Sequence, residues 1–404
     1  MKITLDDIRA REARHVIPTY KRQPVAFVRG SGSRLYDTDG REYLDFISGI
    51  GVSSLGHAHP ALTAAIAEQA ATLLHTSNLY YHPFQAEAAA RLAELSGLSR
   101  AFFCNSGTEA VEACLKFARR YWFTQGITDR TEFVALEGSF AGRTLGSLSV
   151  THDEHYRAPF APLLAGVTFV TPADPAALSA AVTSRTAAII AEPIQGEGGI
   201  RPLAPAFAAA INEVCARTGA LLIADEVQTG LGRTGHPFYF PVLGLNPDLV
   251  TVGKALGGGV PVGAALASER VSQAISAGDH GSTYGGNLLG TRAASVFLAE
   301  LMDHGLLAHV KAVGDHFERK LRAIALKHPA IIEVRGAGLM RGLQLTVDAM
   351  PIVDAAREGG LLVNRTDTKV VRLLPPLTIE AAEIDRAADI LDAVFAAVFE
   401  AVQA

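Results

Sequence analysis

The chain has 404 residues, of which 49% are hydrophobic and 19% charged, and its 36 basic and 41 acidic side chains give a formal net charge of −5. This composition excludes a disordered chain, which needs low hydrophobicity and high charge. The slight acidity and the lack of a block of Lys and Arg argue against nucleic acid as a partner. The charged fraction is below the roughly 25% of ordinary globular proteins, which hints at an oligomer.

Helical spacing and short β-branched runs alternate from about residue 60 to residue 300, which is typical of βα units on a mainly parallel sheet. Helices are predicted over residues 61–74, 84–96 and 109–121. Strands are predicted over residues 100–104, 133–136, 166–170, 187–191, 220–224 and 249–252. Each strand is followed by Gly, Pro, Asp or a polar residue, and α/β proteins bind ligands at such strand ends.

The pattern changes after residue 300. A helix over residues 306–328 precedes strands near 331–335 and 342–346, an extended segment over 361–374 and a terminal helix. We therefore expect an α/β chain of two domains. The large domain would span residues 51–300, and a smaller α+β domain would combine residues 1–50 with residues 301–404.

Neither the cysteines nor the histidines indicate a metal site. Cys104, Cys114 and Cys215 form no CxxC pair and leave an odd count, which is typical of buried free thiols in a reducing compartment. His57 and His59 have the spacing of an HxH pair, but no third ligand is suitably placed. We expect no metal and no disulfide framework.

The N-terminal residues mix acids and bases where a signal peptide would have an apolar run. The apolar stretch over residues 255–268 is interrupted by glycines and Pro261, and it is too short to span a bilayer. We expect a cytoplasmic protein with no membrane partner.

Two charged residues follow neighbouring apolar strands. Lys254 follows Leu249–Val252 and is flanked by Gly253 and by the glycines at 257–259, so a planar ligand can approach bare backbone. Asp225 ends the strand that begins at Ala220, and strand ends on one edge of a parallel sheet converge. Pyridoxal phosphate needs such a pair: a lysine for the Schiff base and a carboxylate at the pyridine nitrogen. The alternative for the lysine is a strand-end side chain that points at water.

A phosphate would need a site of its own. Residues 104–109, Cys-Asn-Ser-Gly-Thr-Glu, lie between a predicted strand and a predicted helix, where free N–H groups hold an anion. The same Ser and Thr before Glu are also typical of an ordinary helix cap. The chain has no P-loop motif, because its triple glycine follows the lysine, which argues against a P-loop NTPase.

Together these segments resemble the class III, fold-type I pyridoxal-phosphate aminotransferases. The motifs are SGTEA (106–110), SFAGRT (139–144), EPIQGEGG (192–199), DEVQTGLGRTG (225–235), the Lys254 segment and GSTYGGN (281–287). They occur in family order over nearly the whole chain. Within the family, GHAHPAL (56–62), SNLYY (77–81) and residues 360–377 most resemble acetylornithine aminotransferases.

The resemblance implies how the cofactor would be held. Lys254 would form the Schiff base (internal aldimine) and carry a proton between substrate and cofactor carbons. Asp225 would pair with the ring nitrogen, and Gln228 would reach the phenolic oxygen. The other cofactor-binding residues would be Ser106, Gly107 and Thr108 at the phosphate, Phe140 on the ring, Glu226 and Val227 in the adjoining wall, and Thr283, which in the family reaches the phosphate of the neighbouring subunit. The active form would then be a homodimer.

The resemblance also implies how one pocket takes two substrates. Arg143 would bind the substrate carboxylate remote from the reacting amine, because a planar guanidinium suits a carboxylate. Arg372 would bind the α-carboxylate of glutamate, and Glu197 would pair with it when an ω-amino substrate leaves that charge uncompensated. The same pocket would include Glu192, Ser282, Ile50 and Tyr20.

Ile50 narrows the choice among the candidate substrates. The similar ornithine aminotransferases have a tyrosine there, and an apolar residue suits an acylated amine better than the free α-amino group of ornithine. Ser53, Val111 and Ala141 depart from residues usual in the acetylornithine enzymes, which leaves the acyl group open.

The resulting hypothesis is a ping-pong transfer of the δ-amino group of N2-acetyl-L-ornithine to 2-oxoglutarate, a step of arginine biosynthesis. The alternatives on the same scaffold are ornithine, succinylornithine, succinyl-diaminopimelate or 4-aminobutyrate aminotransferase. More distant alternatives are an aminomutase and a cofactor-free binding protein, which would lack Lys254.

Overall fold

The computed structural model describes residues 3–403. Its strands are β1 Phe27–Ser31, β2 Arg34–Asp37, β3 Glu42–Asp45, β4 Arg100–Cys104, β5 Glu132–Leu136, β6 Val167–Val170, β7 Thr186–Ala191, β8 Ile194–Gln195, β9 Arg201–Pro202, β10 Leu221–Asp225, β11 Leu249–Val252, β12 Gly263–Ala267, β13 Ile331–Ala337, β14 Met340–Leu345, β15 Leu361–Leu362, β16 Asn364–Arg365 and β17 Val370–Leu373. Its α-helices are α1 Leu5–His15, α2 Ser48–Gly51, α3 Pro60–Thr72, α4 Pro83–Ser96, α5 Gly107–Thr124, α6 Leu145–Ser149, α7 Glu154–Arg157, α8 Pro175–Ala181, α9 Pro205–Thr218, α10 Glu269–Ser272, α11 Leu288–Met302, α12 Leu306–Lys327, α13 Met350–Glu358 and α14 Ala381–Gln403.

Several helix ends follow from local sequence. Pro60, Pro83 and Pro205 begin α3, α4 and α9, where the missing N–H has no helical partner to lose. Gly97 and Gly219 end α4 and α9 with φ of 72° and 77°, a left-handed conformation that glycine adopts without strain. These signals fix the lengths of helices that flank the central sheet.

The central sheet is mainly parallel. Within residues 3–403 it has seven strands in the order β4-β12-β11-β10-β7-β5-β6. The pairs β11–β10, β10–β7, β7–β5 and β5–β6 are parallel. Its buried apolar residues pack against helices on both faces. The six predicted strands are all present, with bounds shifted by at most one residue, and the expected α/β class is confirmed.

One strand of this sheet was not predicted. β12 lies in the apolar stretch over residues 255–268, and it pairs antiparallel with both β11 and β4. Gly263 begins β12 opposite Cys104, and a Cβ at this position would lie 2.5 Å from the carbonyl oxygen of Ser106. The glycine therefore lets the strand pass close to the turn that precedes α5.

The C-terminal part differs from its prediction in two respects. The helix α13 is not among the predicted elements. The predicted extended segment over residues 361–374 is three short strands, because Asp367, with φ of 57°, lies in a turn between β16 and β17. β13, β14, β17 and β16 form a four-stranded sheet within the described residues. β15 instead pairs with β3, through Leu361 and Leu44. The N-terminal strands thus contact the C-terminal segment, while the proposed domain division remains a prediction, and its residues 1, 2 and 404 lie outside the described ones.

The described residues contain neither a membrane-spanning helix nor a cluster of metal ligands. In the part of the chain from 3 to 403, no helix is both long and apolar enough to cross a membrane. In the same part, no group of three or more His, Cys, Asp or Glu side chains is arranged to hold a metal ion. His57 of the HxH pair instead contacts Asp45 Oδ2 through its Nε2, at 2.8 Å.

Candidate active site

The ends of β4, β10 and β11 surround a cavity of about 240 Å³. Its lining combines groups suited to a planar anionic ligand: an amine, a carboxylate, an aromatic ring and a helix N-terminus. Nine of the predicted site residues line it, namely Gly107, Thr108, Phe140, Arg143, Glu192, Asp225, Val227, Gln228 and Lys254. The topology therefore brings together residues that are up to 147 positions apart in the chain (254 − 107).

Lys254 lies in the turn after β11, with a positive φ of 38°. The preceding Gly253 packs so closely that a Cβ there would lie 3.1 Å from the Cα and N of Gly107. Burial lowers the pKa of the Lys254 amine, and Arg372 lowers it further, while Glu197, Asp225 and Glu192 oppose this shift. A lowered pKa increases the neutral fraction of the amine, which is the form that attacks a carbonyl carbon.

Asp225 is 5% exposed at the end of β10. Its Oδ1 accepts hydrogen bonds from Thr251 Oγ1 at 2.8 Å and from the Val227 N–H at 3.1 Å. Among the described residues, its side-chain hydrogen bonds all reach Oδ1, which leaves Oδ2 for a donor in the cavity. Burial raises the pKa of Asp225, so a cationic N–H in the cavity would stabilise the ionised carboxylate. Thr251 was missed in the sequence, although a polar residue inside the apolar run of β11 was a signal.

The N-terminus of α5 faces the same cavity. Ser106 caps the helix, with its Oγ accepting from the Glu109 N–H at 3.3 Å, but it does not line the cavity. A Cβ on Gly107 would lie 2.6 Å from Val227 Cγ1, so the glycine allows the close approach of these segments. The first N–H groups of a helix have no helical acceptor and attract anions. The geometry fits a phosphate at this end.

The hydroxyl of Thr108 is engaged with protein groups. Its Oγ1 lies 2.6 Å from Ser147 Oγ and 2.9 Å from Thr144 Oγ1, and it accepts from the Arg143 N–H at 3.2 Å. Thr108 therefore connects the start of α5 to the loop that carries Arg143. Ser147 lies outside the family motifs, so the sequence does not identify it as a site residue.

Glu192 is buried and lies on the cavity wall, but both of its carboxylate oxygens are occupied. Oε1 accepts from the Phe140 N–H and Oε2 from the Gly196 N–H, each at 2.9 Å. Burial and, second, the charge of Asp225 raise the pKa of Glu192 to about 8. These contacts connect the loop of Phe140 with the loop that carries Glu197, whereas the family resemblance implies a substrate-binding role for Glu192.

Arg372 and Glu197 form an ion pair next to Lys254. Arg372, 1% exposed in β17, donates from Nη1 to Glu197 Oε1 at 2.5 Å and to Gln228 Oε1 at 3.3 Å. Its Nε donates to Asn364 Oδ1 at 3.2 Å from the adjacent strand β16. Burial raises the pKa of Glu197, but the charge and hydrogen bond of Arg372 outweigh it, and the net pKa is lowered. Asn364 lies within a family motif but was not singled out.

Arg143 is exposed, and its guanidinium lies over two aromatic rings. The distances from its Cζ to the ring centroids are 3.7 Å for Tyr156 and 5.3 Å for Phe140. No described acidic side chain forms an ion pair with it. Its charge is thus available to an anionic ligand in the cavity.

Eight predicted residues do not line the cavity: Ser106, Glu197 and Arg372, described above, and five others. Ser282 Oγ accepts from the Gly285 N–H at 2.9 Å, and Thr283 lies beside it on the surface. Ile50 and Tyr20 are 38% and 76% exposed. Glu226 points away from the cavity, since its Oε1 accepts from the N–H groups of residues 239 and 240, both at 2.6 Å. Its carboxylate therefore holds the following loop instead of contacting the cavity.

The chain belongs to the class-III aminotransferases, whose family model matches residues 16–395. A curated relative, the acetylornithine aminotransferase of Aquifex aeolicus, is 46% identical over 93% of this chain and 98% of its own. The solved ornithine aminotransferase of Toxoplasma gondii superposes with a TM-score of 0.94, at 33% identity, over 98% of this chain and 96% of its own. The N-acetylornithine aminotransferase of Stenotrophomonas maltophilia superposes with a TM-score of 0.82, at 35% identity, over 95% and 98%.

Enzymes of this family use pyridoxal 5′-phosphate, and their architecture is fold-type I. The cavity of this chain fits that cofactor. It offers the Lys254 amine, whose pKa is lowered, and the Oδ2 of Asp225, to which no described residue donates. It also offers an aromatic wall at Phe140 and the N–H groups of α5. Its close backbone contacts at Gly107 and Gly253 would be disrupted by any side chain.

Proposed function

We propose that this chain moves the δ-amino group of N2-acetyl-L-ornithine to 2-oxoglutarate, which yields N-acetyl-L-glutamate 5-semialdehyde and L-glutamate. The observation that carries the proposal is the Glu197–Arg372 pair, which neutralises one arginine beside Lys254, while Arg143 has no acidic partner among the described side chains. The name of the relative from Aquifex aeolicus supports the same substrate. The reaction is a step of arginine biosynthesis.

The bound cofactor supplies an electron sink for the carbon that loses a proton. Lys254 would hold it through its amine, and the same amine would carry the proton at the reacting carbon. Asp225 would accept from a ring N–H through Oδ2, while Thr251 and Val227 fix its Oδ1. The N–H groups of α5 would bind the phosphate, and Gln228 would hydrogen-bond the ring oxygen.

Arg143 orients the substrate by its remote carboxylate. For acetylornithine, no carboxylate adjoins the reacting carbon, so Glu197 keeps Arg372 neutralised. For glutamate, the α-carboxylate replaces Glu197 on Arg372, and Glu197 turns away. One cavity thus serves both halves of a ping-pong cycle.

Ornithine is the second candidate substrate, because the structure of the Toxoplasma gondii ornithine aminotransferase superposes closely on this chain. Ile50 favours the acylated amine, because it offers no hydroxyl to a free α-amino group. The remaining candidates are succinylornithine, succinyl-diaminopimelate and 4-aminobutyrate. An aminomutase is also distinguishable, because it needs no external oxo acid.

The test is to measure the first half-reaction separately with acetylornithine, ornithine, succinylornithine, succinyl-diaminopimelate and 4-aminobutyrate. Each half-reaction is monitored by the loss of the absorption of the bound cofactor. We expect the largest kcat/KM for acetylornithine and recovery of the absorption with 2-oxoglutarate. A larger kcat/KM for any other amine would reassign the substrate. A protein that binds no pyridoxal phosphate would overturn the whole proposal.

We further propose a homodimer with shared active sites, located in the cytoplasm. Leu79, Tyr80 and Tyr81 are 85%, 69% and 106% exposed, and Tyr284 is 64% exposed. Asn78 donates from Nδ2 to the carbonyl oxygens of residues 282 and 285, at 3.0 and 2.9 Å, so these apolar side chains adjoin the Thr283 loop. Apolar surface of this kind is typical of subunit interfaces. Sedimentation of the holoenzyme at twice the mass of one chain is the expected result, and an active monomer would contradict it.

A further inference from the structure

Tyr156 supports the guanidinium that the proposed function assigns to substrate binding. The Arg143 Cζ lies 3.7 Å from the centroid of the Tyr156 ring, closer than its 5.3 Å from the Phe140 ring. A guanidinium over an aromatic face is stabilised by the negative face of the ring. The short distance shows that Tyr156 is the main aromatic contact of this side chain.

The backbone of Arg143 is fixed from the other side. Its N–H and that of Thr144 donate to Thr108 Oγ1 at 3.2 and 3.3 Å. Glu112 Oε1 accepts from Thr144 Oγ1 at 2.6 Å and from the Gly146 N–H at 2.9 Å. The loop is therefore attached to α5, and the remaining freedom of Arg143 is in its own long side chain.

The short helix that carries Tyr156 has contacts that do not involve Arg143. It lies in α7, where Asp153 Oδ1 accepts from the His155 N–H at 2.9 Å. Arg157 Nε donates to the His152 carbonyl at 3.2 Å, and its guanidinium lies 4.6 Å from the Phe169 ring centroid. The backbone that carries Tyr156 is therefore held by its surroundings, and the Tyr156 ring makes an edge-on contact with the His155 ring, with the two centroids 5.4 Å apart.

We propose that Tyr156 is a positioning residue that determines specificity for substrates with a carboxylate remote from the reacting amine. The ring restricts the rotamers of Arg143 before substrate arrives, so less freedom is lost when a carboxylate binds. Among the described residues, the Tyr156 hydroxyl makes no hydrogen bond, so the aromatic face carries the effect. This inference rests on the proposed function of Arg143.

The test compares three ligands of the holoenzyme. N2-acetyl-L-ornithine has both the amine and the carboxylate, N-acetylputrescine lacks the carboxylate, and N2-acetyl-L-norvaline lacks the amine and so binds without reacting. The variants are Tyr156→Leu, Tyr156→Phe and the control Phe160→Leu, which removes an exposed ring of the same segment. Tyr156→Met replaces the leucine variant if the latter does not fold.

We expect Tyr156→Leu to weaken N2-acetyl-L-norvaline binding about fivefold by calorimetry, and to lower kcat/KM for acetylornithine similarly. The kcat/KM for N-acetylputrescine should not change, and Tyr156→Phe and Phe160→Leu should behave as wild type. Equal losses for both amines, unchanged norvaline binding, or a phenylalanine variant as impaired as the leucine variant would each overturn the inference. Failure of the proposed function is visible in the wild type alone, as equal kcat/KM for the two amines.

Discussion

Arg372 and Glu197 are 175 positions apart in the chain, yet their side chains are joined by a 2.5 Å hydrogen bond inside the candidate active site. Arg372 is 1% exposed, so removing its partner leaves a buried charge without compensation. The proposed two-substrate mechanism depends on this pair being broken and re-formed in each cycle. The first prediction tests that dependence.

Glu197→Ala should slow the acetylornithine half-reaction about tenfold or more, and the glutamate half-reaction far less. The reason is that glutamate brings its own carboxylate to Arg372, whereas acetylornithine does not. Stopped-flow absorbance of the two half-reactions measures the difference. Glu333→Ala is the matched control, because Glu333 pairs with Arg335 at 2.7 Å outside the cavity. Equal losses in both half-reactions of Glu197→Ala would contradict the masking role.

Glu192 should make the stability of the apoprotein depend on pH. The pKa of Glu192 is raised from 4.5 to about 8 by burial and Asp225. Between these pH values the Glu192 carboxyl group binds more protons in the folded chain than in the unfolded chain. The stability that the protonated Glu192 contributes is therefore present below pH 4.5 and lost as pH rises through about 8.

Glu192→Gln, which stays uncharged, should therefore lose less stability than wild type between about pH 5.5 and pH 8.5. Between these two pH values, the melting temperature of the wild type should fall by about 2 °C or more relative to that of the variant. Differential scanning calorimetry at both pH values is the measurement. Glu94→Gln, at an exposed position of α4, is the control. A pH-independent difference would show that Glu192 is ionised throughout.

Ile50→Tyr should raise the ratio of kcat/KM for ornithine to that for acetylornithine, by about tenfold. Ile50 has φ of 64° and ψ of 50°, a left-handed conformation that is costly for a β-branched residue, so tyrosine should not destabilise the fold. Ile50→Phe supplies the ring without the hydroxyl and should leave the ratio low. An unchanged ratio in the tyrosine variant would remove the specificity argument.

Thr283 provides a test of shared active sites. In the proposed dimer, Thr283→Asp would place a negative charge near the phosphate site of the partner and should abolish activity, as should Lys254→Ala. A mixed dimer of the two has one site with both native residues, so re-association of an equal mixture should recover about a quarter of wild-type activity. The control mixes Thr283→Asp with a double variant that carries both substitutions in one chain. No site in this mixture has both native residues, so it should recover no activity. Failure of the first mixture to recover would contradict a site shared between subunits.

Much of the fold follows from local sequence. The six predicted strands are short, mostly apolar runs that are followed by Gly, Asp or a polar residue, and their bounds differ from the prediction by at most one residue. β12 was missed because its residues, Gly263–Ala267, are small and form no β-branched run. Its place between β4 and β11 depends on the close approach that Gly263 permits to Ser106, which is a property of the packed sheet.

The sequence by itself determined the family and the candidate residues, because Lys254, Asp225 and Phe140 stand in motifs that resemble those of the class III aminotransferases. Only the tertiary structure decided what each group contacts. It directed both oxygens of Glu192 to backbone N–H groups, turned Glu226 away from the cavity, and placed the ring of Tyr156 against Arg143. A motif specifies residue types at fixed spacing, whereas hydrogen bonds and ring contacts depend on side-chain directions that the packing of distant segments sets.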